Sequence, residues 1–161
     1  MNLLPVDKLI KLCTGEVKMT DRELSIEELE EGTELHLDFD KISKVAAQAS
    51  GVMPVAVQNV DTKEVILVAY VNKAAFQKSI ETGIATFWST SRNELWVKGA
   101  TSGNTFELVE VRVNDEQNSL LFLVRQKGEG ICHTRNSKGQ ARNCFYRKLN
   151  TDTGTLENLD P

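Results

Sequence analysis

Three polar stretches of this chain carry residue types that can do chemistry. The first is Trp88-Ser-Thr-Ser-Arg92, followed by Leu95-Trp96-Val-Lys98-Gly99-Ala-Thr101-Ser102-Gly103-Asn104. Small residues leave backbone N–H groups open to an anion, the hydroxyls of Ser89, Ser91, Thr101 and Ser102 add donors, and Arg92 and Lys98 supply charge. Together these are what a phosphate needs. A flat base could stack on Trp88 or Trp96; the bland alternative is a Gly/Ser turn beside core tryptophans. The second stretch is Asn114-Asp115-Glu116-Gln117-Asn118. Residues 114, 116 and 118 alternate on one side of an extended chain, so their oxygens could converge on a hard cation such as Mg²⁺. A solvated hairpin turn is the competing reading. The third is Cys132-His133-Thr134 with Cys144 twelve residues after Cys132. Two thiols and an imidazole around one loop suit Zn²⁺, which takes sulfur and nitrogen at tetrahedral geometry, although this spacing is looser than a Cys-x-x-Cys knuckle. His133 could equally be a proton-transfer group. The loop between the cysteines is basic, with Arg135, Lys138 and Arg142, continued by Arg147 and Lys148. It is either a solvated charge run or a surface facing a polyanionic small molecule.

The elements that must position these stretches can be read from periodicity. Pro5 could open a short helix with Val6, Leu9, Ile10 and Cys13 on one side, so Cys13 reads as packing. Ser25-Ile-Glu-Glu28 is a capping box, and Gly32 closes its helix. Met53–Asn59 and Glu64–Val71 are β-rich runs joined by Val60-Asp-Thr-Lys63. Asn72 caps a helix carrying Phe76 and Ile80, with Gly83 just past its end, and Ile84–Ser89 alternates as a strand. Val109, Val111 and Val113 are expected on one face of a strand and Glu110 and Arg112 on the other. The apolar run Leu120–Val124 then returns as the second arm of a hairpin. A last strand is expected at Cys144–Leu149 and a frayed polar tail at Asn150–Pro161. The pattern is strand-rich α+β.

Composition sets the bounds. The chain has 161 residues, 40% hydrophobic and 26% charged, enough for one compact domain. The expected division is an N-terminal helical extension at 1–36, a main domain at 37–149 and a polar tail at 150–161. No apolar run reaches the ~18 residues of a membrane span, and the first 20 residues mix Asp, Glu and Lys into the apolar positions, unlike a secretion signal. Three cysteines, an odd number, argue against a disulfide framework and for the cytoplasm. A net charge of −4 excludes a field that holds nucleic acid, so partners are expected to be small molecules.

With these segments in hand, the chain resembles the phosphoribosyl-AMP cyclohydrolase family of histidine biosynthesis. The resemblance runs from Leu37-Asp-Phe-Asp40 to Lys148. It is carried by Pro54-Val-Ala-Val-Gln58-Asn, Val68-Ala-Tyr70-Val-Asn72, Phe87-Trp88-Ser89-Thr-Ser91-Arg92, Leu95-Trp96-Val-Lys98-Gly99-Ala-Thr101-Ser102-Gly103-Asn104, and Cys132-His133-Thr134 with Cys144-Phe145-Tyr146-Arg147. It implies a small α+β fold with a barrel-like sheet and few helices. It also implies a homodimer with shared active sites, and zinc held by three cysteines drawn from both chains. Two of these match Cys132 and Cys144; the third falls in an acidic hairpin, commonly Asp-Cys-Asp-x-Asp, and is Asp115 here. The aspartates associated with Mg²⁺ become Asn114, Glu116 and Asn118. A second departure is the longer loop between Cys132 and Cys144. Many relatives carry a fused pyrophosphohydrolase domain, and that second activity is not expected of this chain.

The implied reaction adds water at carbon 6 of a purine whose nitrogen 1 carries phosphoribosyl, and opens the ring. Zinc would supply the water ionised near neutral pH. His133 would move the proton, and Trp88, Ser89, Ser91, Arg92, Trp96, Lys98, Gly99, Thr101, Ser102, Gly103, Asn104 and Arg147 would hold a substrate with two phosphates. A carboxylate can replace a thiolate on zinc, so Asp115 is compatible with turnover at reduced zinc affinity. Two Asn in place of Asp weaken the expected Mg²⁺ site. The alternative is a non-catalytic relative that binds phosphoribosyl nucleotides at a degraded metal site. A nucleic-acid module is a distant third.

Overall fold

The computed structural model describes residues 19–20, 22–49, 51–101, 103–128 and 131–161. The helix expected after Pro5, together with Cys13, lies outside the described residues, as does Ser102. The chain divides into two compact units, residues 39–146 and residues 1–38 with 147–161.

In the smaller unit, helix α1 (Ile26–Glu31) starts where the capping box predicts. Ser25 Oγ accepts from Glu28 N–H, and Glu28 carboxylate accepts from Ser25 N–H at 2.9 Å. Arg22 reaches the Glu28 carboxylate at 2.8 Å. That ion pair and the Ser25 hydrogen bonds pull the Glu28 carboxyl down to about 2. The polar tail is not frayed: β7 (Arg147–Asn150) and β8 (Thr155–Asn158) form an antiparallel hairpin. Leu156 N–H donates to Thr33 O at 2.9 Å, so the hairpin is held by chain remote in sequence, which local composition cannot reveal.

The larger unit begins with α2 (Lys41–Gln48), a helix absent from the sequence reading, with Asp40 at its N-cap making no side-chain cap hydrogen bond. Its sheet runs β2-β1-β6-β5, built from β1 (Val52–Asn59), β2 (Val65–Asn72), β5 (Phe106–Val113) and β6 (Leu120–Gln126). The β1–β2 and β5–β6 pairs are antiparallel hairpins, while β1 and β6 run parallel. Helix α3 (Lys73–Thr82) follows β2 directly. Asn72 Oδ1 accepts from Ala75 N–H at 2.9 Å, and Gly83 ends it in the left-handed region. The short pair β3 (Thr86–Ser89) and β4 (Glu94–Val97) completes the unit. The described strands form an open four-stranded sheet and two separate pairs, not the barrel-like closure implied by the resemblance. The core is Val55, Val57, Ile66, Val71, Phe87, Phe106, Phe122 and Val124 with their smaller neighbours, all buried. Ser79, a fully buried residue of α3, accepts from Thr86 N–H at 2.9 Å and lies 3.0 Å from Thr86 O, tying the helix to β3.

Two β-bulges overrule simple alternation. Between Leu108 and Glu110 the register slips, so Val109 has no partner on β6 and is exposed, whereas Leu108 and Val111 pack on the core. The expected common face of Val109, Val111 and Val113 is therefore broken, because one extra residue inverts the side-chain parity beyond it. The other bulge lies opposite Val57 and Gln58, where Ile66 is skipped in the ladder. Its freed carbonyl accepts Cys144 N–H at 3.1 Å. The expected strand Cys144–Leu149 is accordingly shorter, since Cys144 and Phe145 are spent on a turn.

Candidate active site

Cys132 and Cys144 are brought together by the loop between them, which folds as a small hairpin with an exposed tip. Cys132 N–H donates to Arg142 O at 2.9 Å, Arg142 N–H donates to Thr134 O at 3.1 Å, and Arg135 bridges Ala141. At the tip, Asn136 Oδ1 accepts from Lys138 N–H and Gln140 N–H, and Gly139 takes the positive φ of +76° that the turn requires. Asn143 Oδ1 accepts from Phe145 N–H at 2.8 Å, and this turn with the Ile66 carbonyl holds Cys144 in place.

Two of the basic residues serve this scaffold. Arg142 is buried, 4% exposed, with its guanidinium 4.6 Å from the centre of the Tyr146 ring. Arg135 donates to Gly139 O at 2.7 Å. The reading of the whole loop as a surface facing a polyanion is corrected for Arg142, whose cation is stacked inside. Arg147 lies in the other compact unit, where it reaches Gly32 O at 3.4 Å.

The two thiols lie close enough for each to shift the other's ionisation, and His133 Nδ1 lies 3.7 Å from Cys132 Sγ. Their environments pull them apart. Burial pushes the Cys132 thiol up, but the Thr134 hydroxyl and N–H, the His133 charge and Cys144 outweigh it, so the thiol ionises below the usual range. Cys144 is exposed as a residue. Atoms crowded around its sulfur, with the Cys132 charge, nevertheless push its thiol up to about 11, against a downward pull from Lys98. Lys98, whose Nζ lies 5.8 Å from the Phe106 ring centre, is thereby placed in the electrostatic neighbourhood of the thiols.

The glycine and hydroxyl segment leads away from Lys98. Gly99 has φ +81°, and a Cβ there would run into the backbone of Asn104 and Thr105. Gly103 N–H donates to Gly99 O at 2.8 Å, and Lys127 N–H to Thr105 O at 2.8 Å. Upstream, β3 and β4 pair Phe87 with Trp96 and Trp88 with Leu95. Trp96 packs on the core, 5.4 Å from Phe87 between ring centres. Trp88 is half-buried beside the exposed Leu95. Ser89 Oγ accepts from Arg92 N–H at 3.4 Å, Ser91 Oγ lies 3.5 Å from it, and Arg92 pairs with Glu94 at 2.8 Å.

At the tip of β5–β6, Asn114, Glu116 and Asn118 do converge. Asn114 Nδ2 donates to Asn118 Oδ1, and Asn118 Nδ2 donates to Glu116 Oε2, each at 2.8 Å. Asn114 Oδ1 accepts from both Asn118 N–H and Ser119 N–H at 2.9 Å, the hydrogen bonding of a closed turn. Asp115 is exposed at this tip. Among the described residues, no three His, Cys, Asp or Glu side chains gather in one place to hold a metal, so within this chain Asp115 does not join the two cysteines. No described helix is long and apolar enough to cross a membrane.

The comparisons agree with the resemblance. A family model of phosphoribosyl-AMP cyclohydrolase matches residues 67–146, which include both cysteines, His133 and the hairpin tip. A phosphoribosyl-AMP cyclohydrolase of Archaeoglobus fulgidus is 47% identical over 118 residues, covering 73% of this chain and 96% of that protein. One of Hyphomonas neptunium is 45% identical over 74% of this chain and 81% of its own length. One of Erythrobacter litoralis is 42% identical over 137 residues, 85% of this chain and 97% of its own. On the strength of these matches, and of the ordered segments that surround the paired thiols, the chain belongs to the phosphoribosyl-AMP cyclohydrolase family.

Proposed function

We propose that the chain opens the purine ring of 1-(5-phosphoribosyl)-AMP, adding water at carbon 6 to yield the formimino-aminoimidazole carboxamide ribotide of histidine biosynthesis. It would do so as a metal-dependent, cytoplasmic homodimer. The observation that carries the reading is the pairing of Cys132 and Cys144 beside His133 in a chain of this family.

The donor set fits a soft divalent metal in part: two thiols of one chain, one of them easily ionised, are two of the three protein ligands that a hydrolytic zinc site needs. Asp115 is the proposed third, supplied across the dimer. Bound there, zinc would lower the pKa of a water towards ~7. His133, exposed and next to Cys132, takes the proton from the attacking water and returns it to the departing ring nitrogen. Lys98 and the Gly99–Asn104 loop answer a phosphate. Trp88 offers the partly open ring face for the base, and Asn114, Glu116 and Asn118 are the proposed contacts to Mg²⁺.

The test is ring opening by the purified protein with added zinc and magnesium, for the natural sequence, His133→Ala and Asp115→Cys. The expectation is turnover that His133→Ala abolishes without altering the dimer on size exclusion, and tighter zinc binding by Asp115→Cys. No turnover at saturating metals sinks the proposal. Nucleotide binding without turnover would favour the binder reading, which the carboxylate at 115 motivates.

A further inference from the structure

An acidic and a basic turn of the larger unit stand at diagonal corners of its sheet. Because β6 runs parallel to β1 with Leu120 beside Val55, the tip Asn114–Asn118 projects towards the Val52 end of β1, between β6 and the edge strand β5. Cys144 bonds to Ile66 O on the other edge strand, β2, where Ile66 is skipped opposite Val57 and Gln58, towards the Asn59 end. With strands about 4.8 Å apart and about 3.3 Å per residue along each, the corners lie roughly 20 Å from one another. A carboxylate binds zinc at about 2 Å, so Asp115 does not reach the thiols of its own chain. The exposed charges of the two corners are opposite. The tip carries Asp115 and Glu116, and the hairpin between Cys132 and Cys144 carries Arg135 and Lys138. This hairpin is the longer loop by which the chain departs from the resemblance.

A second copy related by a two-fold axis brings these corners together twice. With the axis in the plane of the sheet and perpendicular to the diagonal that joins the corners, each tip falls on the other copy's thiol corner, an isologous contact. The surface between the corners suits that contact. Val55, Val57 and Ala69 are buried on the core side, so alternation turns Pro54 and Val68 to the opposite side, where both are exposed, Val68 by 57%. We propose that the basic hairpin is the receptor for the acidic tip of a second copy, with Arg135 and Lys138 flanking the incoming Asp115 and Glu116 while the outer sheet faces pack. Opposite charges at such a contact fix register and orientation as well as adding attraction. Arg142, stacked inside over Tyr146, takes no part. The inference rests on the reading of Asp115 as a ligand supplied across a dimer, and it turns the exposed loop cations from the substrate to the partner subunit.

Sedimentation of the full chain over a range of concentrations, with Zn²⁺ present, reads the dimer dissociation constant. Lys138→Glu is the probe; Arg135 stays in place because it also donates to Gly139 O within the hairpin. Lys138→Glu is expected to weaken the dimer roughly 5–30-fold at low salt, since a two-fold interface counts every exposed ion pair twice. The natural dimer is expected to loosen as salt is added. Combining Lys138→Glu with Glu116→Lys, which restores opposite charges, is expected to recover most of the loss. Val68→Arg is expected to give a monomer whose circular dichroism matches the natural chain, and Pro54→Arg, also exposed, is the second variant on that face. A Lys138→Glu dimer as tight as the natural one, or a loss that the exchanged pair does not restore, overturns the hairpin contact while leaving the dimer standing. A dimer that both Val68→Arg and Pro54→Arg leave intact overturns the face-to-face arrangement. A natural chain that is monomeric at every concentration overturns the contact and the dimer together.

Discussion

Replacing Gly99 by Ala tests how the segment after Lys98 is held. Gly99 and Gly103 both sit at positive φ, +81° and +75°. Alanine at either site adds the strain of a left-handed L-residue, about 1–2 kcal/mol. The sites differ in what surrounds them. A Cβ at Gly103 meets nothing within 4 Å, whereas at Gly99 it falls 2.6 Å from Thr105 N and closer still to the Asn104 carbonyl. Those are backbone atoms that no side-chain rotation can remove, so overpacking adds about 1–3 kcal/mol at Gly99 alone. At roughly 2–4 °C per kcal/mol for a chain of this length, Gly99→Ala should melt roughly 2–12 °C below Gly103→Ala. Because Gly99 adjoins Lys98, it should also weaken phosphate-bearing ligands more. Thermal unfolding by circular dichroism on both variants gives the comparison. Equal midpoints would refute the claim that close backbone approach, and not conformation alone, requires glycine at 99.

Other outcomes follow from the same geometry. The thiolate is the reactive form, and Cys132 is held below the ordinary thiol range while Cys144 is raised to about 11. In metal-free protein, iodoacetamide at neutral pH should therefore label Cys132 first, and Cys144 should respond only as pH approaches 11; equal labelling at pH 7, read by peptide mass, contradicts this order. Tyr146→Leu removes the ring under the Arg142 guanidinium and should cost about 0.5–2 kcal/mol by denaturant unfolding, with weakened metal binding as the hairpin loosens. Glu28, held at about 2 by Arg22 and the Ser25 hydrogen bonds, should titrate by NMR well below an ordinary glutamate, and Ser25→Ala should move it upward. The same Ser25→Ala change should cost about 0.5–2 kcal/mol through the lost cap.

Local chemistry was legible wherever the decisive contacts lie within a few residues. Ser25 with Glu28, Asn72 with Ala75, and Gly83 after the helix are interactions of chain neighbours, so residue type and spacing suffice to see them. The same holds for the turn at Asn114–Asn118, whose amides bond within the segment. The chemistry-bearing residues at 88–104, 114–118 and 132–144 were also legible, since glycine, hydroxyl, thiol and imidazole are chosen for what they can bind.

The amino-acid sequence by itself determined the α+β class, the caps and hairpins, and membership of a family through ordered motifs. Tertiary structure alone decided the parallel pairing of β1 with β6, because those strands lie far apart in the chain and strand patterns do not name their partners. It also decided the bulge at Ile66, where skipping one residue frees the carbonyl that holds Cys144. It buried Arg142 over Tyr146, though composition marks an arginine in a basic loop as solvated. And it buried the Thr134 side chain, because the burial of a polar group depends on everything folded around it, while a sequence records only that the group is there.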